Sequence, residues 1–363
     1  MSPDITPALR VAGRGLLAAG ALAAGAALGA VAERSLLRAS TNPLRDGEGS
    51  GFGELHGDVH LVVADDGNQL HVEVDEADGP GDGLTIVFAH GYALNLDSWH
   101  FQRQALRGTA RLVFYDQRSH GRSQHADFDS HHIDQLGHDL GSVIDSLAPS
   151  GLLMLVGHSM GGMTIMALAD QRPELFADRV YGVALISTTA GGLADGGLGL
   201  PSGVGQAFHR IAPALTSALA KRKNLVEWSN WGSSDLGLLL TRLYSFGSTA
   251  TDEASRFVAS MVSATSIDVV SEFLPALQEH DKRAALQVFQ SVEVLVLVGD
   301  TDRLTPREYS DYIVSQVPGA EYVVVEDTGH MVTLEKPEVV NAALLSLLDR
   351  VRRDIAVESA STA

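Results

Sequence analysis

A chain of 363 residues, 45% hydrophobic and 20% charged, is long enough for one large α/β domain with an insertion or for two domains. Its net charge of −19 repels phosphate backbones and leaves no basic footprint, which argues against nucleic acid as a partner. The absence of cysteine excludes a disulfide framework, a thiol nucleophile and a thiolate metal site.

Residues 1–53 stand apart. Residues 15–32 carry no charge and are mostly Ala, Gly and Leu, with Arg10 and Arg14 before them and Glu33, Arg34 and Arg38 after. The run is close to bilayer-spanning length but only mildly apolar, because Ala and Gly contribute little transfer free energy. Ala30-Val31-Ala32 is a small-x-small cleavage site, and Gly25 with Gly29 forms a weak G-x-x-x-G pair. Three readings stand, in descending order: an uncleaved membrane anchor, a cleaved export signal and a soluble helical tail. The first two make the protein membrane-associated or exported, and the third leaves it cytoplasmic. Residues 41–53, rich in Gly with Ser, Asn and Pro, read as a linker.

From residue 54 the pattern is that of an α/β domain. Residues 60–64 and 69–74 are strand-like, with a hairpin signal at Asp66-Gly67 between them. Residues 84–89 form a continuous apolar run, which predicts a buried parallel strand ending in His90-Gly91-Tyr92. Another strand, 111–115, runs into Asp116-Gln117-Arg118-Ser119-His120-Gly121-Arg122-Ser123. Ile133, Leu136, Leu140, Val143 and Ile144 carry helical spacing over 132–147. Asp116 is expected to tie down its turn with Arg118 paired to it. His120, His125, His131, His132 and His138 show no metal-ligand spacing and read as solvent-facing or loop residues.

The most informative stretch is 152–162, Leu-Leu-Met-Leu-Val-Gly-His-Ser-Met-Gly-Gly. An apolar strand stops at Gly157, Ser159 follows between Gly157 and Gly161, and a helix-forming run continues. This is G-x-S-x-G in its required context of strand, sharp turn and helix. The turn strains the serine backbone and sets its hydroxyl beside unpaired helix N–H groups that can stabilise an oxyanion. A further strand is expected at 180–186, and the alternation predicts a mostly parallel sheet covered on both faces.

His90-Gly91, the Asp116–Ser123 turn and the Ser159 elbow occur in the order found in α/β-hydrolases, and residues 58–350, apart from the middle insertion, resemble that family. The resemblance implies an eight-stranded, mostly parallel sheet with helices on both faces and an inserted helical cap. It implies backbone N–H groups of Tyr92 and Met160 as the oxyanion hole. Many family members carry glycine at the position of Ser119, so this loop departs slightly from the pattern.

The strand–helix rhythm lapses between Ser187 and Ala285. The organisation expected is a first core part at 54–187, a cap at 188–285, a second core part at 286–355 and a disordered tail at 356–363. Within the cap, 191–205 is glycine-rich, and 208–220, 234–246, 252–262 and 267–277 look helical and amphipathic. Trp228, Trp231, Tyr244, Phe246, Met261, Phe273 and Leu274 are candidates for the pocket or, more simply, for cap packing.

Residues 292–298 predict a strand running into Gly299-Asp300-Thr301-Asp302, and 321–325 a last strand before Glu326-Asp327-Thr328-Gly329-His330. A closing helix is expected at 337–352. The family pattern selects Asp302 over Asp300 as the acid and His330 as the base, giving the chain order Ser159, Asp302, His330. The residue types suit the chemistry. A serine is activated by a neutral imidazole, which a buried carboxylate orients. The expectation is a serine hydrolase acting on an apolar or amphiphilic carboxylic ester, needing no metal or organic cofactor. The alternatives are a C–C bond hydrolase of ring-cleavage products and a non-catalytic binding protein on the same fold.

Overall fold

The computed structural model describes residues 51–79, 83–193 and 235–362. The N-terminal apolar run, most of the expected linker, the expected helix at 208–220, Trp228 and Trp231 lie outside the described residues.

Eight strands form one sheet in the order β1-β2-β4-β3-β5-β6-β7-β8. They are β1 (Asp58–Val63), β2 (Gln69–Asp75), β3 (Leu84–Ala89), β4 (Arg111–Tyr115), β5 (Leu152–His158), β6 (Val180–Ile186), β7 (Glu293–Gly299) and β8 (Glu321–Val325). The β1/β2 hairpin and the β2/β4 pair are antiparallel, and every pair from β4 to β8 is parallel. The continuous apolar runs at β3 and β5–β7 follow from burial of both sheet faces. In β3, Val87 and Ala89 point to one core while Leu84, Ile86 and Phe88 point to the other.

Helices α1 (His100–Leu106), α2 (Ile133–Leu147), α3 (Met160–Gln171), α4 (Pro173–Asp178), α5 (Asp235–Ser245), α6 (Asp252–Ala264), α7 (Ile267–Glu279), α8 (Arg307–Gln316), α9 (Val332–Glu335) and α10 (Pro337–Thr362) complete the described elements. Residues of α2, α3, α4 and α8 fill one core, and residues of α1 and α10 fill the other. The five apolar residues whose spacing predicts α2 are all buried.

Helix α10 continues to Thr362, so residues 356–362 are helical and not the disordered tail expected at 356–363. The extension has packing to support it. Val351 is buried, Ile355 lies against the same core, and the Tyr181 hydroxyl meets the Glu358 carboxylate. The end of the expected linker is also docked: Phe52 stacks on Phe257 of α6 at 4.6 Å and lies edge-on to Phe101 at 5.5 Å.

Helices α5–α7 are inserted between β6 and β7. Thr251 caps α6, its side chain accepting from Ala254 N, and Asp252 and Glu253 in the first turn complement the helix dipole. Ser266 caps α7 in the same way. The inserted helices reach the sheet domain through two apolar clusters. Phe246 and Met261 lie with Leu94, Met331 and Leu334 in one. Phe273 lies with Met160, Met163, Leu193 and Tyr92 in the other. Tyr244 and Leu274 are half-buried. No single helix among the described residues is long and apolar enough to cross a membrane.

Candidate active site

The parallel strands β5, β7 and β8 all end at one edge of the sheet, where ligands of open α/β sheets bind. Ser159 follows β5, Asp302 follows β7 and His330 follows β8.

Ser159 is the first of these to be shaped by its chain. Its backbone sits at φ 53, ψ −118, a strained conformation for a side-chain-bearing residue. The surroundings hold it there. Ser159 N donates to Ile186 O at 2.9 Å, and Thr188 Oγ1 donates to Ser159 O at 2.7 Å. The flanking glycines are required by close approach of backbone: a Cβ on Gly157 would lie 2.5 Å from Gly161 O, and one on Gly161 would lie 1.9 Å from Ala89 O. Ser159 itself is half-buried.

Asp302 and His330 are directly joined. His330 Nδ1 lies 2.9 Å from Asp302 Oδ2 and 3.1 Å from Oδ1. The carboxylate also accepts from Leu304 N and Thr305 N, both at 2.9 Å, and from Thr305 Oγ1 at 2.8 Å. Burial pushes this carboxyl up, but the His330 ring and the Thr305 hydrogen bonds outweigh it and hold it below the usual carboxylate range. Asp300 instead accepts from Thr328 N at 3.3 Å. The residue after the next turn, Thr305, carries a positioning role that its sequence context did not signal.

The His330 loop is fixed to the elbow by His158, the residue preceding Ser159. His158 Nε2 donates to His330 O at 2.9 Å, and the two rings are 4.9 Å apart. Burial, followed by the nearby His330 ring, holds His158 down to about 3, so it acts as a neutral donor. The hydrogen bonds of the His330 ring among the described residues lie on Nδ1; the one that Nε2 would accept from the Ser159 hydroxyl is not made in this conformation. Such bonds often tighten only when substrate is bound. The inserted helices also touch this loop. Met331 N donates to Ser245 O at 2.7 Å, and Glu335 accepts from both Gly329 N and Gly247 N at 2.9 Å.

Tyr92 and Met160 lie at the end of β3 and the start of α3. Neither backbone N–H donates to another backbone carbonyl among the described residues, and Met160 is fully buried at the foot of the elbow. His90 braces the loop: its Nδ1 donates to Gly91 O at 2.7 Å, while Nε2 accepts from Gln117 N at 2.9 Å. Gln117 in turn accepts from Thr164 of α3 at 2.8 Å.

The turn after β4 differs from expectation in its ion pairs. Asp116 does tie down the loop, accepting from Leu96 N at 2.7 Å and Arg122 N at 2.8 Å. Arg118 does not pair with it. Arg118 is buried between Asp139 of α2, at 2.5 and 2.6 Å, and Asp66 of the hairpin, at 2.8 Å. The buried Asp116 is already satisfied by backbone N–H groups, and Arg118 reaches a carboxylate on the next layer. His120 and His131 lie in loops, as expected, and are buried there. Among the described residues, the group with metal-ligand spacing is Asp65, Asp66 and Asp139, and Arg118 engages two of these carboxylates.

A half-buried serine on a strained turn, two backbone N–H groups beside it and an imidazole held by a buried acid are the residue types that serine-nucleophile chemistry requires.

Comparison with known proteins agrees with this architecture. The model of the "Alpha/beta hydrolase family" matches residues 86–343. A dihydrolipoyllysine-residue acetyltransferase component of the acetoin cleaving system of Pseudomonas putida is 28% identical over 75% of this chain, and the match spans 65% of that protein's length. An sn-1-specific diacylglycerol lipase of Mus musculus is 26% identical over 75% of this chain and 83% of its own. The solved structure of a thermophilic esterase from Thermogutta terrifontis superposes with a TM-score of 0.64 at 22% identity, covering 81% of this chain and 99% of that one. The chain belongs to the alpha/beta hydrolase family.

Proposed function

We propose that this hydrolase cleaves a carboxylic ester with Ser159 as nucleophile, His330 as base and Asp302 as its orienting acid. In this reading Ser159 Oγ attacks the ester carbonyl as His330 Nε2 takes its proton. The tetrahedral oxyanion forms against Tyr92 N–H and Met160 N–H. His330 then returns the proton to the departing alcohol, leaving an acyl-Ser159, and water activated by His330 releases the acid. Asp302 keeps the Nδ1–H tautomer and stabilises the imidazolium.

The observation that carries the reading is the Asp302–His330 pair tied to the strained Ser159 elbow through His158. Metal-free acyl transfer needs no more than these groups. The apolar cluster of Met160, Met163, Leu193, Val269 and Phe273 beside the elbow favours an apolar or amphiphilic acyl group. The inserted helices serve as its cap. Relatives named as a lipase and an esterase support an ester in place of another acyl donor.

The test is an acyl-chain-length series of p-nitrophenyl esters with Ser159→Ala as control, together with labelling by a fluorophosphonate. Turnover that disappears in Ser159→Ala, and label on Ser159, are expected. Turnover unchanged in Ser159→Ala would overturn the assignment.

A further inference from the structure

A second serine–histidine–carboxylate chain lies outside the residues assigned above. Ser119 Oγ is 2.7 Å from His131 Nε2, and His131 Nδ1 is 2.7 Å from Glu272 Oε2. Ser119 belongs to the loop after β4 and Glu272 to α7, so the chain crosses from the sheet domain to the inserted helices. The His131 side chain is fully buried, whereas that of Glu272 is 23% exposed.

The hydrogen-bond directions are settled by the partners. Ala126 N donates to Ser119 Oγ at 2.9 Å. Burial, with the neighbouring His125 and His120 rings and Arg118, holds His131 down to about 4, so the ring is neutral. Its Nδ1–H therefore donates to Glu272, and its Nε2 accepts the Ser119 O–H. Every polar atom of the ring is used. Ser119 sits at φ 64, where glycine would be unstrained, and the hydroxyl is what the serine brings there.

Helix α7 has two other holds on the same region. Phe273 packs on the His131 ring at 4.6 Å and on the His120 ring at 5.5 Å. The Tyr92 hydroxyl donates to Val270 O. Pro275 lies inside α7 and has no N–H to donate to the Ser271 carbonyl. Tyr92 is the residue whose backbone N–H is assigned to the oxyanion hole. The phenol of that residue thus joins α7 to the loop after β3.

We propose that Ser119, His131 and Glu272 form a latch that seats cap helix α7, and that this seating positions the Tyr92 N–H for the reaction. The consequence for catalysis rests on the ester-hydrolase reading; the latch itself does not. Glu272 and His131 are positioning residues. Losing the latch misplaces an oxyanion donor, which weakens transition-state binding more than ground-state binding.

The experiment compares Glu272→Ala, Glu272→Gln, Ser119→Gly and the unaltered chain. Hydrogen–deuterium exchange is followed in residues 267–279, with kcat and KM on a p-nitrophenyl ester measured in parallel. In Glu272→Ala, exchange in α7 is expected to rise at least about tenfold, as for loss of one charge-assisted hydrogen bond. Ser119→Gly is expected to loosen α7 as well. kcat in Glu272→Ala is expected to fall about tenfold or more, with KM within about threefold. Glu272→Gln keeps an acceptor for His131 Nδ1–H and restores both readouts. Unchanged α7 exchange in Glu272→Ala overturns the latch. Raised exchange with unchanged kcat overturns the coupling to Tyr92. An unaltered chain inert to every ester but showing the expected exchange pattern refutes the ester reading and upholds the latch.

Discussion

His330 Nδ1 meets Asp302 Oδ2 at 2.9 Å, while Asp300, two residues before Asp302, faces the backbone N–H of Thr328. Two carboxylates with nearly the same place in the chain thus have different partners. Asp302→Asn is expected to lower kcat by about 10⁴-fold, because an amide no longer holds the Nδ1–H tautomer. Asp300→Asn, which alters one long backbone contact, is expected to stay within about threefold of the unaltered enzyme. Ester turnover in both variants checks this. Equal losses would contradict the assignment of Asp302.

The strained backbone at Ser159 predicts a trade of stability for activity. Ser159→Ala and Ser159→Gly both remove the hydroxyl proposed as nucleophile, but only glycine relieves φ 53. After its entropic disadvantage is subtracted, Ser159→Gly is expected to be more stable than Ser159→Ala by about 1 kcal/mol. Urea unfolding midpoints measure the difference, and an alanine variant as stable as the glycine one would show the turn to be unstrained.

Arg118 is a structural charge, enclosed by Asp139 and Asp66. Arg118→Met leaves the Asp139 carboxylate buried without its partner, at a cost of about 3–5 kcal/mol. The double variant Arg118→Met/Asp139→Leu removes both charges and is expected to be more stable than the single one. Denaturant unfolding of the pair decides it; a double variant less stable than Arg118→Met goes against this account.

Acid is expected to destabilise the fold well above the carboxylate range. Burial, the largest influence at each site, holds His90, His131 and His280 down to about 4 and His120 and His158 to about 3. In the unfolded chain the same rings titrate near about 6.5. Between those values the unfolded chain binds protons that the folded chain does not, so unfolding becomes easier as the pH falls. The stability from neutral burial is complete above about pH 6.5 and is lost progressively toward pH 4 and below. Urea midpoints at pH 7.5, 6 and 5 are expected to fall in that order. A midpoint constant across the three would mean that these rings are not buried as neutral groups.

Much of the fold was legible along the chain. The strands β3, β4, β6 and β8 have the expected bounds, because a short run rich in apolar and β-branched residues between polar loop segments marks a strand locally. The elbow was legible for a similar reason: Gly157, Ser159 and Gly161 lie within five residues of one another, and the backbone contacts they permit are local or to the adjacent strand. Helix α10 runs ten residues past the expected 352, to Thr362. Residues beyond Arg352 show no regular apolar face, and Ile355 packs against the core cluster that α10 covers.

The order of strands and helices, the serine on its turn and the residue types able to activate it were determined by the sequence alone, since each depends on neighbours a few positions away. Only the tertiary structure decided that Arg118 pairs with Asp139 and not Asp116, that Thr305 and His158 hold the Asp302–His330 pair, and that Glu272 reaches His131 across 141 positions of chain. Those pairings depend on where whole layers come to rest against one another. That placement is set by the packing of the entire core and leaves no local trace in the residues that meet.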